Sequence, residues 1–511
     1  MIAKFRSTAL YGVEAFIVEV EVDVSNGLPA FNIVGLPDTA IQESRERVRS
    51  AIKNAEYQFP MQRITVNLAP ADIKKEGPAL DLPIAVGILT ASEQMKPISY
   101  KKFIIIGELS LNGQIRPVNG VLSIAMMAKK RGIENIIVPK ENVHEAGIVN
   151  GINIYPISNL REVVQFLNQE INISPFNIDK RELLKHSDHY QVDFSDVKGQ
   201  NHAKRALEVA AAGSHNVIMI GPPGSGKTML AQRIPTILPS LTLEETIQIT
   251  RLYSISNLAD RDCPIVTSRP FRSPHHTISN IGLIGGGSIP KPGEISLAHS
   301  GVLFLDELPE FNRSALESLR QPLESGKVTI SRALRSVTYL SRFMLVAAAN
   351  PCPCGYFGDP IKQCICTSYQ IRKYRSRTSG PLLDRIDIQI EVPRLDYKEL
   401  AKRDNKEDSS TIIRNRVEKA RKIQQERFKD RSIFSNAQMS RKDVEKYCKL
   451  SVNGWRLLNQ AMEKLKLSAR AYDKILKLSR TIADLSFEEE AQTSHVAEAI
   501  QYRSLDREDL I

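Results

Sequence analysis

The chain has 511 residues, 42% of them hydrophobic and 25% charged, which is ordinary for a globular protein and predicts about two to four domains. Six cysteines are too few for a secreted disulfide scaffold, and the lack of a run of about 18 apolar residues excludes a membrane-spanning helix. The first residues do not resemble the apolar core of a signal peptide, so we expect a cytoplasmic protein. The net charge of +11 favours a polyanionic partner, most simply nucleic acid, with a solvated basic surface as the alternative.

The N-terminal third, residues 1–170, mixes both kinds of secondary structure. Residues 18–24 alternate apolar and acidic side chains, which predicts a half-exposed strand. Residues 39–57 predict a charged helix, and residues 103–107 predict a buried strand. This pattern indicates an α+β domain. Residues 171–195 are polar and irregular and are interpreted as a linker.

Two further regions follow the linker. Residues 196–393 alternate strands and helices, which predicts an α/β core with a largely parallel sheet. Residues 394–511 contain few strand formers and show helical spacing at 412–428 and 472–485, so we expect an α-helical lid domain.

A nucleotide-binding P-loop is the strongest motif in the chain. Residues 221–228 read Gly-Pro-Pro-Gly-Ser-Gly-Lys-Thr, follow an apolar strand and open a helix. In such a loop the backbone N–H groups surround phosphates, the lysine reaches the β- and γ-phosphates of ATP, and the hydroxyl binds Mg²⁺. The predicted ATP-binding residues are Gly221, Pro222, Pro223, Gly224, Ser225, Gly226, Lys227 and Thr228.

Two acids and an amide complete the predicted hydrolytic site. Asp306 and Glu307 follow the apolar run 302–305, as expected for a Mg²⁺ ligand and a general base that activates water. Asn350 ends another apolar run and is predicted to hold the attacking water. The alternative for Asn350 is an amide that opens a turn before a proline.

Two arginines are candidates for contacting ATP. Arg385 is predicted to be an arginine finger that reaches the ATP of a neighbouring subunit, which requires a ring and favours a homo-hexamer. The alternative is a local salt bridge of Arg385 with Asp384 or Asp387. Arg470 in the lid could contact the nucleotide of its own chain, with Arg480 as the second choice.

Four cysteines form a candidate structural Zn²⁺ site. They occur as two Cys-x-Cys pairs in a glycine- and proline-rich segment. Four thiolates can hold zinc tetrahedrally, and four reduced thiols in a folded loop are the alternative. The candidate ligands are Cys352, Cys354, Cys364 and Cys366.

Candidate DNA contacts lie between the acids and Asn350. Residues 327–339 predict a hairpin with Arg332 and Arg335 at its tip, and Lys327 is a third candidate for binding phosphates. The basic stretch 372–377, with interleaved tyrosines, could contact nucleic acid or another subunit. His275 and His276 are either ligands or structural histidines.

The motifs resemble a known family. Residues 285–307, which include Gly-Gly-Gly-Ser-Ile-Pro-Lys-Pro-Gly-Glu, resemble the magnesium-chelatase ATPase signature, and residues 196–511 are similar to that AAA+ family, a relative of the MCM helicases. Residues 269–276 (Arg-Pro-Phe-Arg-Ser-Pro-His-His) and 350–355 (Asn-Pro-Cys-Pro-Cys-Gly) resemble the YifB/ComM branch.

The N-terminal region is similar to the proteolytic domain of Lon, an S5-like fold, at residues 107–118 and 137–142. That resemblance implies a serine–lysine dyad, but this chain has Ala79 and Leu122 at the two positions. We therefore expect a degenerate Lon-protease-like domain without protease activity.

The resemblance implies a hexameric DNA motor that drives branch migration of recombination intermediates in natural transformation. Its expected partners are branched or single-stranded DNA and recombination proteins. The alternatives are a magnesium-chelatase ATPase subunit for tetrapyrrole synthesis and a protein-remodelling ATPase.

Overall fold

The structure is a computed structural model that describes residues 2–97, 101–178, 190–260, 264–287, 290–331, 336–395, 407–429, 431, 433–465 and 467–503. The chain forms two compact units, one of Met1–His186 with Leu243–Thr267 and one of Ser187–Thr242 with Ser268–Ile511. Within the described residues, no helix is both long and apolar enough to cross a membrane.

The first unit is built on a mixed seven-stranded sheet. Its strands are β1 (Ile2–Tyr11), β2 (Glu14–Ser25), β3 (Ala30–Val34), β4 (Arg63–Ala69), β5 (Phe103–Ile105), β8 (Asn135–Pro139) and β9 (Asn153–Ile157), while β6 (Glu108–Leu109) and β7 (Ile115–Arg116) form a separate ribbon. The order is β3-β4-β2-β1-β5-β8-β9, and β2 pairs antiparallel with both β1 and β4. The predicted alternation in β2 is confirmed, since its valines face the core and its acids do not.

Among the described residues, six helices accompany this sheet: Thr39–Asn54, Asp81–Ala91, Val121–Lys130, Val143–Gly147, Leu160–Leu167 and Leu243–Ile255. Every residue of Asp81–Ala91 is buried, as expected for a helix that is apolar on all sides. Asp38 caps the first helix by accepting from the N–H of Ile41 at 2.8 Å, and it also accepts from the N–H of Gly77 at 3.1 Å.

The helix Leu243–Ile255 belongs to the first unit although it follows the P-loop in sequence. Gly120 N donates to Ser254 Oγ at 2.7 Å, and Arg251 Nε lies 3.1 Å from Ser123 Oγ. The predicted division, which assigned residues 196–393 to one domain, did not anticipate this. Contacts between residues so distant in sequence leave no local pattern.

The second unit contains a five-stranded parallel sheet. Its strands are β10 (Val217–Ile220), β11 (Phe271–Arg272), β14 (Val302–Leu305), β17 (Met344–Ala349) and β18 (Ile388–Glu391), in the order β11-β14-β17-β10-β18. Two hairpins stand apart from it. The short hairpin pairs β12 (Gly285–Gly286) with β13 (Lys291–Pro292), and the long hairpin pairs β15 (Lys327–Ser331) with β16 (Ser336–Leu340).

Helices of this unit cover the sheet and form its C-terminal part. They are Asn201–Gly213, Lys227–Ile237, Asn280–Ile284, Glu294–Leu297, Arg313–Ser318, Arg320–Ser325, Ser368–Arg375, Gly380–Leu383, Ser410–Arg427, Arg441–Tyr447, Val452–Leu465, Ala469–Leu485 and Thr493–Gln501. The C-terminal helices share one apolar core with the sheet. The predicted fold class is confirmed: an α/β P-loop core with a helical C-terminal region, preceded by an α+β domain.

Asp484 is the centre of a buried polar network among the C-terminal helices. Its carboxylate accepts from both terminal nitrogens of Arg427, at 2.8 and 2.5 Å, and from Asn436 Nδ2 at 2.8 Å. Arg480 Nε donates to it at 3.1 Å, and the Asp484 side chain is fully buried. Removing the carboxylate would leave the buried guanidinium of Arg480 and the partly buried one of Arg427 without their counter-charge.

We therefore expect Asp484→Ala to destabilise the second unit by about 3–5 kcal/mol. The matched control is Glu445→Ala, which removes an exposed partner 3.6 Å from Arg441 and should cost about 0.5 kcal/mol or less. Urea denaturation, analysed for the transition of this unit, measures both. Equal effects would show that the buried network does not hold the helices together.

Candidate functional site

The P-loop leaves the sheet at the end of β10 and leads into a helix whose first residue is Lys227. Gly224 and Gly226 have φ values of +77° and +90°, a left-handed conformation that side chains disfavour. Gly221 is required for another reason, because a Cβ there would lie 2.1 Å from the carbonyl oxygen of Val392. The backbone of the loop thus depends on its glycines.

Lys227 lies inside this loop. Its Nζ donates to the carbonyl oxygens of Gly221 at 2.7 Å and Pro222 at 2.9 Å, and it lies 3.4 Å from Asn350 Oδ1. Burial lowers the pKa of Lys227 because the ammonium loses hydration, while the negative charge of Asp306 acts in the opposite direction. The predicted lysine and amide therefore come together from two neighbouring strands.

The two predicted acids follow β14. Thr228 Oγ1 donates to Asp306 Oδ2 at 2.7 Å, so the two candidate Mg²⁺ ligands already touch. Glu307 adopts a left-handed φ of +52°, and its N–H donates to Asp306 Oδ1 at 2.9 Å. This turn directs the two side chains differently, with Asp306 bonded to the P-loop threonine and Glu307 about half exposed.

A histidine stands beside Glu307. His276 Nδ1 lies 3.5 Å from Glu307 Oε2, and its ring lies against that of His275, with centroids 4.1 Å apart. The segment before the histidines is anchored by Arg272, whose guanidinium makes two hydrogen bonds to Glu294, at 2.6 and 2.7 Å. Sequence analysis singled out the histidine pair but missed its position beside the predicted general base.

Arg385 lies elsewhere in the unit. It forms an ion pair with Glu324 and donates to the carbonyl oxygen of Pro381 at 2.5 Å. The local salt bridges considered from sequence, to Asp384 or Asp387, are not the ones observed. In the described part of the chain, the partners of Arg385 do not include the P-loop.

The two lid arginines differ sharply in exposure. Arg470 is 64% exposed and its Nη1 lies 2.9 Å from Asp384 Oδ2, next to Arg385 in sequence. Arg480 is buried and bonded to Asp484 and to two backbone carbonyls. Arg480 is thus occupied in the helical core, which leaves Arg470 as the accessible candidate.

The four predicted cysteines converge. Their sulfur atoms all lie within 4.8 Å of one another, and three Sγ pairs are 3.3, 3.6 and 3.7 Å apart. A tetrahedral zinc with Zn–S bonds of about 2.3 Å places its sulfur ligands about 3.8 Å apart. Hydrogen bonding from the backbone N–H of Tyr356 and that of Ile365 lowers the pKa of Cys354 to about 6, which favours the thiolate. The pKa of Cys364 is raised, and burial raises the pKa of Cys366 to about 12, so the case for zinc rests on the positions of the sulfur atoms. The set fits a zinc site.

The long hairpin is confirmed, with Ser331 opposite Ser336 at its described end. Arg332 and Arg335 lie outside the described residues. Lys327 is exposed but begins β15, so it lies at the base of the hairpin and away from the tip. In the basic stretch 372–377, Tyr374 is buried and cannot stack with a base, whereas Tyr369 is 69% exposed.

Ala79 and Leu122 occupy the two positions that correspond to the serine–lysine dyad of Lon. Leu122 is fully buried, and Ala79 packs against the same hydrophobic cluster. The N–H of Leu122 donates to Glu145 Oε1 at 2.8 Å. Neither side chain offers a nucleophile or a base.

Comparisons with known proteins agree with this architecture. Residues 193–400 match the family model for magnesium chelatase, subunit ChlI, residues 407–503 match its C-terminal model, and residues 20–142 match the model for subunit ChlI of Mg-chelatase. Competence protein ComM of Haemophilus influenzae is 46% identical over 504 residues, covering 98% of this chain and 97% of ComM. The YifB protein of Escherichia coli is 44% identical over 505 residues, covering 98% and 97%. The Lon protease of Leptospira interrogans is 30% identical over 161 residues, 30% of this chain and 19% of the protease.

The fold and the P-loop site define a magnesium-chelatase-type AAA+ ATPase with a Lon-like N-terminal domain. Within that class the match to ComM and YifB extends over nearly the whole length of both proteins. The chain belongs to the YifB/ComM family.

The contact between His276 and Glu307 suggests that His276 positions the Glu307 carboxylate. We expect His276→Ala to lower kcat for ATP hydrolysis, but by less than the roughly 10²-fold or more that loss of a general base costs. The KM for ATP should change little, because the observed polar contact of His276 is with Glu307 and not with the P-loop. His275→Ala is the control, since His275 Nδ1 lies 2.9 Å from Thr277 Oγ1. Steady-state kinetics that show the same kcat for both variants would contradict a positioning role.

Proposed function

We propose that the P-loop site binds and hydrolyses ATP with Mg²⁺. One observation carries this proposal: Lys227, Thr228, Asp306 and Asn350 meet at the carboxyl edge of one parallel sheet. Three strands separated by long stretches of sequence deliver these groups. A parallel α/β sheet binds its ligand at this edge.

Each side chain then has a distinct role. Thr228 Oγ1 and Asp306 Oδ2 would hold Mg²⁺, which when bound would neutralise charge on the phosphates. Lys227 exchanges its bonds to loop carbonyls for the β- and γ-phosphates. Asn350 orients the attacking water, and Glu307 accepts its proton as general base.

Arg385 acts on a neighbouring subunit in this proposal. It is held at Glu324, away from its own P-loop, so a second copy supplies the positive charge that stabilises the transition state. Repeating this contact head to tail closes a ring, which we propose is a homo-hexamer. Arg470, which is exposed and paired with Asp384, is the proposed lid contact to the nucleotide.

The proposed substrate is DNA, and the proposed activity is branch migration of recombination intermediates during transformation. Three observations support this: the net charge of +11, the long hairpin, and the name of the relative ComM, a competence protein. We propose that Arg332, Arg335 and Lys327 contact phosphates and that recombination proteins are partners. Contacts to phosphates do not depend on the base sequence of the DNA, and a motor that moves along DNA requires contacts of this kind.

A chelatase subunit is the second candidate. The three matches to magnesium-chelatase models favour it. The match to ComM favours the DNA motor, since it extends over 98% of this chain and so includes the four-cysteine segment and the Lon-like region. Stimulation of the ATPase by a porphyrin and a chelatase partner, but not by DNA, would select the chelatase.

We also propose that Cys352, Cys354, Cys364 and Cys366 hold Zn²⁺. The observation that supports this is the approach of all four sulfur atoms to within 4.8 Å. Zinc here would close a loop that contains no helix or strand between its two Cys-x-Cys pairs.

Strand displacement from a labelled four-way DNA junction tests the motor. We expect the wild type with ATP to resolve the junction, and Lys227→Ala and Glu307→Gln to fail, because the first loses phosphate binding and the second loses the base. Glu307→Gln should still bind ATP and the junction, since Glu307 makes no bond to the P-loop lysine. A wild type that hydrolyses ATP but leaves every DNA substrate intact would reject the motor and retain the ATPase.

Subunit mixing tests the role of Arg385. Lys227→Ala and Arg385→Ala should each abolish most ATP hydrolysis alone. Mixed rings contain sites in which an intact Lys227 faces an intact Arg385 from the adjacent subunit, so the mixture should hydrolyse ATP well above the sum of its parents. Lys227→Ala mixed with a Lys227→Ala/Arg385→Ala double variant is the control and should stay inactive. No recovery in the first mixture, under conditions where subunits exchange, would reject action in trans.

A further inference from the structure

The loop that joins the four cysteines, residues 352–366, lies against the P-loop; we call it the cysteine loop. At its turn, Gly355 has a left-handed φ of +83°. A Cβ at Gly355 would lie 2.6 Å from Cδ of Pro223 and 4.0 Å from Cγ of Asn350. The cysteine loop therefore packs closely against Pro223 of the P-loop, with no space for a side chain at Gly355.

The contact continues along one wall of a cavity of about 200 Å³. The cysteine loop contributes Phe357, Gly358, Asp359 and Pro360 to this cavity, and the ATP site contributes Gly221, Pro222 and Asn350. Displacement of the cysteine loop would thus leave one side of the P-loop without support. A loop that loses packing contacts on one side gains conformational freedom.

The first cysteine is also tied to the sheet. Cys352 comes two residues after Asn350, and the intervening Pro351 accepts from Arg375 Nε at 3.2 Å. The guanidinium of Arg375 stacks over Phe357 at 5.2 Å from the ring centroid. Arg375 therefore contacts both Pro351, which follows Asn350, and Phe357 in the middle of the cysteine loop.

We propose that the zinc centre is a working part of the ATP site: by closing the cysteine loop, Zn²⁺ fixes Gly355 against Pro223 and holds the P-loop in its ATP-binding conformation. This inference rests on the proposed ATP and zinc sites but not on DNA as the substrate. Closure of a loop by a metal lowers the entropy of the open state. Loss of zinc should consequently weaken ATP binding even when the rest of the unit stays folded.

Two glycines of the cysteine loop allow a matched test. Gly355→Ala and Gly358→Ala both place alanine at a left-handed φ, +83° and +76°, so their backbone strain is similar. Only the first meets Pro223, because a Cβ at Gly358 has nothing within 4 Å. Both variants keep all four cysteines.

The experiment measures zinc content by mass spectrometry, thermal unfolding, and affinity for a fluorescent non-hydrolysable ATP analogue. We expect one zinc per chain in the wild type and in both variants. Gly355→Ala should bind the analogue at least about tenfold more weakly, while Gly358→Ala, which lines the same cavity but meets no atom of the P-loop, should weaken binding much less. Removing zinc from the wild type with a thiol-compatible chelator should weaken binding similarly, and adding Zn²⁺ back should restore it.

Three results would overturn the inference without rejecting the proposed ATP site. These are a wild type that takes up no zinc, ATP affinity that is independent of zinc, or equal affinities for Gly355→Ala and Gly358→Ala. The outcomes also separate this inference from the proposed function. A zinc-loaded wild type that binds no nucleotide rejects both, whereas zinc-independent ATP binding rejects only the role of the metal.

Discussion

The position of β17 between β14 and β10 is the constraint on which the site depends. Their parallel register pairs Leu305 with Ala347 and Ile220 with Ala349, so all three strands end at one edge of the sheet. The residues that follow are then neighbours: an acid after β14, Asn350 after β17 and the P-loop after β10. Backbone hydrogen bonds hold this arrangement, and the contact of 2.7 Å between Thr228 and Asp306 is a local consequence of it.

The elements that could be predicted from sequence are those marked by a pattern of neighbouring residues. The strands β10, β14 and β17 are continuous apolar runs because both faces of a parallel sheet are buried, and each run is followed by a segment with a predicted chemical role. The grouping of Leu243–Ile255 with the first unit was not predictable. It depends on contacts such as Gly120 with Ser254, 134 positions apart, and a single sequence carries no record of such pairs.

Side-chain environments were harder to predict than elements. Arg480 and Asp484 are spaced as an ordinary exposed helix pair, yet both are buried, because Arg427 and Asn436 arrive from other segments and complete the network. The same applies to His276: the sequence indicated that it could be a ligand or a structural histidine, but not that it would lie beside Glu307. The sequence shows which residues are charged, but only the fold shows which of them form ion pairs or hydrogen bonds with one another.

The predicted ATP site is formed by the sheet on one side and by irregular segments elsewhere, and these segments are anchored by their own contacts. The histidine segment is held by the two hydrogen bonds between Arg272 and Glu294, and Glu294 follows the short hairpin. That hairpin region is joined to the long one, because Tyr339 donates from its hydroxyl to the backbone of Pro290 at 2.6 Å. A contiguous set of contacts thus leads from the long hairpin to His276, which lies beside the predicted base. In the proposed motor, a phosphate backbone pulling on the hairpin would act on hydrolysis through this segment, and the cysteine loop, which packs against Pro223, would keep the P-loop fixed while it does so. One wall of the site must stay fixed for a displacement of the other to change the geometry of the water and its base.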